Sequence, residues 1–210
     1  MAYQLQDLIT TVRKRAKDTK FDADLITDFI NETQRSVLNR SRFKFMEELT
    51  NDTASAGSYE FELYYDLDVI LSLKLVDTST DAVYVPDYMG YAEFYEDFDP
   101  DTAGQSIPTF YTVYGNTVVF NAPLSQSLQV RLKYLKSPIT LAHDNDEPQI
   151  PEQYKELLLR GAMAHVEEYR GNFDIAGIHA RKVEDLTEDM LIRTSLRQLA
   201  QPHKARFGRR

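Results

Sequence analysis

Cysteine is absent from this 210-residue chain, and so is tryptophan. Without thiols there is no disulfide, no thiolate metal ligand and no cysteine nucleophile, and the redox compartment stays open. No stretch reaches the roughly 18 uninterrupted apolar residues that a membrane-spanning helix needs, so no membrane partner is expected. The first residues, Met1-Ala2-Tyr3-Gln4-Leu5-Gln6-Asp7, set no basic region ahead of an apolar one, and no secretion signal is read there. Glycine-rich phosphate loops and the serine-hydrolase elbow are missing. The histidines, His143, His165, His179 and His203, are scattered and give no zinc pattern. After Asp189 there is no acidic residue at all.

That last absence turns attention to what is there. The formal charge is -9, from 24 basic and 33 acidic residues, but it is sorted along the chain. Residues 1–192 hold 18 basic against 33 acidic side chains, while Arg193, Arg197, Lys204, Arg206, Arg209 and Arg210 give the last 18 residues six positive charges. An acidic body with a basic end reads either as a solubilising terminus or as an arm that orders against an acidic partner surface. Arginine's planar fork suits bidentate contact with carboxylates, and Phe207 adds an apolar anchor. Free nucleic acid is the weaker partner, because the body's negative field repels phosphates. Thirteen tyrosines and eleven phenylalanines point to much half-buried, contact-forming surface.

Leu5, Leu8, Ile9, Val12 and Ala16 recur at helical spacing, with Arg13, Lys14, Arg15 and Lys17 where the helix dipole favours cations. A second helix is expected from Asp22 or Asp24, through Leu25, Ile26, Phe29, Ile30, Val37 and Leu38, to about Arg42. Asn51 to Ser58 reads as a polar loop, and Tyr59 to Leu63 as a half-buried strand. Val69–Val76 and Ala82–Pro86 read as further strands, and Tyr88–Phe98 as a short aromatic and acidic helix. Ile107 to Tyr114, Gly115-Asn116 and Thr117 to Pro123 form a hairpin signal, bracketed by Pro108 and Pro123. A third strand covers Leu128–Leu135. Pro151-Glu152-Gln153-Tyr154 opens a helix whose small residues Gly161, Ala162 and Ala164 permit close packing. A last helix runs from about Asp174 to Leu199 with the stripe Ile175, Ile178, Val183, Leu186 and Met190.

The expected class is α+β: a helical bundle from residues 1–45 and 150–192, an inserted antiparallel β-rich unit over 46–149, and an extended basic arm over 193–210. Three clusters invite chemistry and carry little of it. Asp144-Asn145-Asp146-Glu147 lacks the glycine and distal glutamate of a calcium loop and reads as a solvated loop that caps the following helix. Glu93, Glu96, Asp97, Asp99 and Asp101 interleave with Tyr91, Phe94, Tyr95 and Phe98, but no nucleophile or phosphate cradle accompanies them. His165, beside Glu167 and Glu168, reads as a hydrogen-bonded histidine on a packing face. No enzyme activity, cofactor or metal is expected.

Four pieces in order carry a resemblance. They are Leu25-Ile26-Thr27-Asp28-Phe29-Ile30-Asn31-Glu32; the hairpin from Ile107-Pro108-Thr109-Phe110-Tyr111 to Asn121-Ala122-Pro123-Leu124; Tyr134-Leu135-Lys136-Ser137-Pro138 before Leu141; and Ile150-Pro151-Glu152-Gln153-Tyr154. With these the chain resembles the head-to-tail adaptor (connector) proteins of tailed bacteriophages, particularly those of short-tailed phages. It departs from them after the first β loop, where a tyrosine-leucine-proline type of strand is replaced by Leu63-Tyr64-Tyr65-Asp66-Leu67. The resemblance implies a virion protein assembled in the host cytoplasm. It implies a homo-oligomeric ring, commonly of twelve subunits, between the portal and a tail or nozzle protein, with genomic DNA passing through unread. It also implies a C-terminal segment that grips the portal, which places that contact on Arg193, Arg197, Lys204, Arg206, Phe207, Arg209 and Arg210. The alternative is a nucleic-acid-binding module using the same basic end; a hydrolase built on Glu93 or Asp97 stands third.

Overall fold

The structure, a computed structural model, describes residues 3–199. Among the described residues the fold is α+β, with five helices and two four-stranded sheets, in two compact units. One takes the chain up to Lys44 and again from Pro138; the other is Phe45–Ser137.

In the first unit, α1 (Leu5–Arg15) forms because Leu5, Leu8, Ile9 and Val12 bury one face. Its free N–H groups are met from a distance in sequence: Leu5 N–H donates to the Asp146 carbonyl at 2.9 Å and Gln6 N–H to that of Asp144 at 3.1 Å. The acidic loop therefore caps α1, not the helix that follows it. The Asp146 carboxylate shapes the loop by accepting the Ala142 and His143 N–H groups at 2.7 and 2.8 Å. Those two bonds hold its carboxyl below the usual carboxylate range.

Helix α2 (Ala23–Leu38) starts at Asp22, whose side chain accepts the Asp24 N–H at 2.9 Å. It ends before the expected Arg42 because the chain tightens, with Arg40 N–H bonding to the Val37 carbonyl, and turns Phe43 into the core. After Pro151 a 3-10 turn, Glu152–Tyr154, leads into α4 (Lys155–Tyr169), which packs against α1, α2 and α5 (Phe173–Leu199). Gly161 of α4 sits directly over Thr33 of α2: a methyl built there would overlap the Thr33 side chain and stand 2.8 Å from its Cβ. The segment between Pro138 and Ile150 is strapped onto α2 by two buried amides. Asn31 both donates to and accepts from Leu141 at 2.9 Å, and Gln34 bonds the Ile139 carbonyl and the Gln149 N–H at 3.1 and 3.0 Å.

The second unit packs two sheets face to face. One has the order β1-β8-β3-β4, from β1 (Glu47–Ala54), β3 (Leu67–Val76), β4 (Val83–Tyr84) and β8 (Leu128–Lys136). The other has the order β2-β7-β6-β5, from β2 (Glu60–Glu62), β5 (Asp87–Tyr88), β6 (Phe110–Tyr114) and β7 (Thr117–Phe120). Leu75, Leu128, Val130 and Leu132 of the first meet Val118 and Phe120 of the second in one core. The hairpin turn is as read: Tyr114 pairs with Thr117, and Gly115 takes φ +58 at the first central position, where a primed turn demands it. Asn116 ties this turn to Leu63 through both a side-chain and a backbone bond, at 2.8 and 2.9 Å.

Several expectations give way. Half of the supposed polar loop, Asn51–Ala54, is the end of β1, paired residue by residue with β8. The β unit is not wholly antiparallel. The chain from β5 to β6 crosses over through α3 (Tyr91–Asp97), so that pair runs parallel. On α5, Ile175 and Ile178 point outward; Val183, Thr187 and Met190 lie on the packed side, Met190 fully buried. Residues 193–199 continue α5 as helix, so an extended arm cannot begin at Arg193.

Candidate partner-binding surfaces

Of the seven residues read as a portal contact, two fall among the described residues. Arg193 projects from α5 and is exposed, but its Nε donates to Asp189 one turn back at 2.9 Å, an i,i+4 pair that occupies part of its fork. Arg197 lies in the last helical turns of α5. Lys204, Arg206, Phe207, Arg209 and Arg210 lie outside the described residues.

The acidic and aromatic run at α3 is drawn together as a surface of the β unit. Phe94 is the inward residue, fully buried, and Phe98 stacks on Phe110 with ring centroids 5.4 Å apart. Tyr91 stacks on Tyr114 at 4.8 Å and contacts Tyr95 at 4.9 Å. All three of these tyrosines stay exposed, Tyr114 by 63%. Beside them the Tyr59 hydroxyl donates to Asp101 at 2.6 Å, and the carboxylate it meets pushes that phenol up to about 12. Glu93, Glu96 and Asp97 line the exposed side of α3.

A second feature is a cleft of about 380 Å³ among α2, α4 and α5, lined by Val37, Gly161, His165, Phe173, Gly177 and Val183. His165 packs there by stacking on Phe29, centroids 5.3 Å apart. Glu32 and Glu168 stand 3.9 and 3.7 Å from its ring nitrogens, too far for hydrogen bonds, so stacking rather than the expected hydrogen bonding seats the ring. His179 is held below its ordinary pKa, first by burial and then by the neighbouring Arg160. Among the described residues, no three His, Asp or Glu side chains are grouped to hold a metal ion. Nor is any helix of the described residues long and apolar enough to cross a membrane.

What these surfaces offer is contact: exposed rings, unlike charges and small-residue helix packing. The chain matches the SU10 adaptor protein family over residues 3–206 and belongs to it, a family of phage head-to-tail adaptors. Membership implies a structural role as a virion component that interacts with portal and tail proteins. Among curated proteins none matches the chain.

The sequence reading missed one signal that was available in composition. Phe45–Ser137 contains 15 acidic side chains against four basic ones, Lys74, Arg131, Lys133 and Lys136. The acidic excess therefore belongs to the β unit alone. The rest of the chain is close to balanced, with 20 basic against 18 acidic.

Proposed function

We propose that this protein is the subunit of a closed ring between the portal and the tail, through whose channel the genome passes. The family match over residues 3–206 carries this reading. Head-to-tail contacts between identical subunits close a ring when the rotation between neighbours divides the circle, and twelve is the number the resemblance implies. A β unit with a net charge of -11 suits the wall of a conduit, because phosphates are repelled and do not stick. The basic arm fastens each subunit to the portal, the opposite face of the ring seats the tail or nozzle protein, and assembly takes place in the host cytoplasm.

Within the proposed clasp, Arg193 and Arg197 belong to helix α5, and Lys204, Arg206, Phe207, Arg209 and Arg210 follow that helix in sequence. Electron microscopy of the chain mixed with its portal should show rings that the chain alone does not form. A chain ending at Leu199 should keep its circular dichroism spectrum and lose portal binding. Retained binding would refute the clasp.

A further inference from the structure

Alternation along a strand puts neighbouring side chains on opposite faces of its sheet, and in the β unit unlike charges take opposite faces of the sandwich. In the sheet β1-β8-β3-β4, Leu73, Leu75, Val130 and Leu132 enter the core between the sheets, so Lys74, Arg131 and Lys133 point away from it. Lys74 stands directly across from Arg131; both are exposed, and neither makes an ion pair among the described residues. Like charges opposed in this way cost stability, yet the unit has 15 acidic side chains against four basic ones from which to draw a better neighbour. Arg131 is tied only through Nε, which donates to Gln129 at 3.0 Å, and Lys133 is held by Glu47 at 2.6 Å. The far side of the sandwich carries the complement. In the sheet β2-β7-β6-β5, Phe61, Tyr111, Val118 and Phe120 face the core, so Glu60, Glu62 and Tyr114 face outward. That is the side α3 covers, with Tyr91 stacked on Tyr114 and with Glu93 and Asp97 exposed. Open tyrosine rings edged by carboxylates suit a guanidinium or ammonium group: the cation lies over a ring face while its N–H groups reach an acid.

We propose that these two faces are the contact between neighbouring copies: the Lys74 and Arg131 face of one β unit seats on the tyrosine and carboxylate face at α3 of a second copy's β unit. The inference rests on the reading of the protein as a ring subunit and supplies that ring with an interface. Because the faces lie on opposite sides of one sandwich, the contact is heterologous and repeats from copy to copy, as ring closure requires. Each β unit brings a net charge of -11, so the assembled ring stays acidic and free copies repel one another. The complementary faces act at short range, within the screening length of about 8–10 Å at physiological salt, once a portal holds copies side by side.

Carbodiimide treatment of the full-length chain with its portal tests this, because the reagent joins an amine only to a carboxylate that touches it. With light and heavy-isotope-labelled chains in equal amounts, Lys74 should be joined to Glu93, Glu96 or Asp97. About half of those links should pair a light with a heavy peptide, as only contacts between copies can. Electron microscopy of the same mixture counts rings. Lys74→Glu with Arg131→Glu, and separately Glu93→Lys with Asp97→Lys, should each lower ring yield at least fivefold, since like charges then meet at every contact. Mixing the two variants one to one should restore rings, because each reversed face finds a reversed partner and each parent face a parent one. All four side chains are exposed, so the circular dichroism spectrum should not change. Rings without Lys74 links to α3, rings that both variants form as well as the parent, or a mixture that fails like its components would overturn the contact and leave the ring reading standing. Mixed-label Lys74 links without rings would overturn the ring reading and leave the contact, and the absence of both would overturn both.

Discussion

Asn31 shows at the scale of one side chain how this sequence holds its segments in place. It lies on the buried side of α2, 8% exposed, where a hydrophobic residue would fit the helical stripe. Its amide instead satisfies both the N–H and the carbonyl of Leu141. Asn31→Ala leaves those two backbone groups without partners and should cost about 2–3 kcal/mol in urea unfolding, well above a surface substitution. Asn31→Asp keeps the acceptor but sets a carboxylate against the Leu141 carbonyl, and should be no better. Gly161 is the second residue with no substitute. Gly161→Ala forces its methyl into Thr33 and should cost about 2–3 kcal/mol by overpacking. Adding Thr33→Ala should return part of that loss, and the coupling in the double-mutant cycle measures how rigidly α2 and α4 are held together.

Elements were legible in the sequence to the degree that each carries its own pattern. The hairpin is announced by Gly115-Asn116 between branched and aromatic runs, and β8 by the buried alternation Leu128, Val130, Leu132 and Tyr134. β1 has no such mark. Glu47-Glu48-Leu49-Thr50-Asn51-Asp52-Thr53-Ala54 is an edge strand specified by its partner, and only Ala54 is buried. The parallel β5–β6 pair is two residues long and was equally unreadable. The same limit applies to candidate surfaces: the aromatic and acidic run of α3 was evident, whereas Tyr59, Glu60 and Tyr114 join it only through the fold. The turn after β3 shows how such local devices respond to acid. Asp77 accepts the Ser79 N–H and hydroxyl, the Thr80 hydroxyl and the Gln126 amide, and these bonds hold its carboxyl far below the usual range. A depressed folded pKa gives stability that is present above the unfolded value of about 3.9 and is lost as pH falls towards the folded one. Asp77→Asn should therefore lower stability at pH 7 and flatten its decline below pH 4. Parallel acid titrations of the two chains, followed by circular dichroism, check this.

At the scale of the whole molecule the decisive property is that charge is partitioned by unit. A uniform net charge of -9 would only keep copies apart in solution. A β unit at -11 joined to a nearly balanced remainder that ends in a basic segment gives each copy one repelling and one attracting region. This bears directly on the rival reading as a nucleic-acid-binding module. The basic end, residues 193–210, offers six cations to phosphates, which sets the salt slope of a duplex complex made by that end at no more than about 5, and the acidic unit opposes even that. Gel-shift titrations of the isolated chain with duplex DNA should accordingly show no complex surviving at 0.15 M salt and only weak retardation at 0.02 M. Reversing the β-unit charges around α3, with Glu93→Lys and Asp97→Lys, should strengthen DNA retention several-fold while leaving the circular dichroism spectrum unchanged, since both side chains are exposed. The proposed conduit requires the parent behaviour, and the variant should impair it. Tight, steeply salt-dependent binding by the unaltered chain would instead make DNA a ligand of this protein rather than a passenger through it.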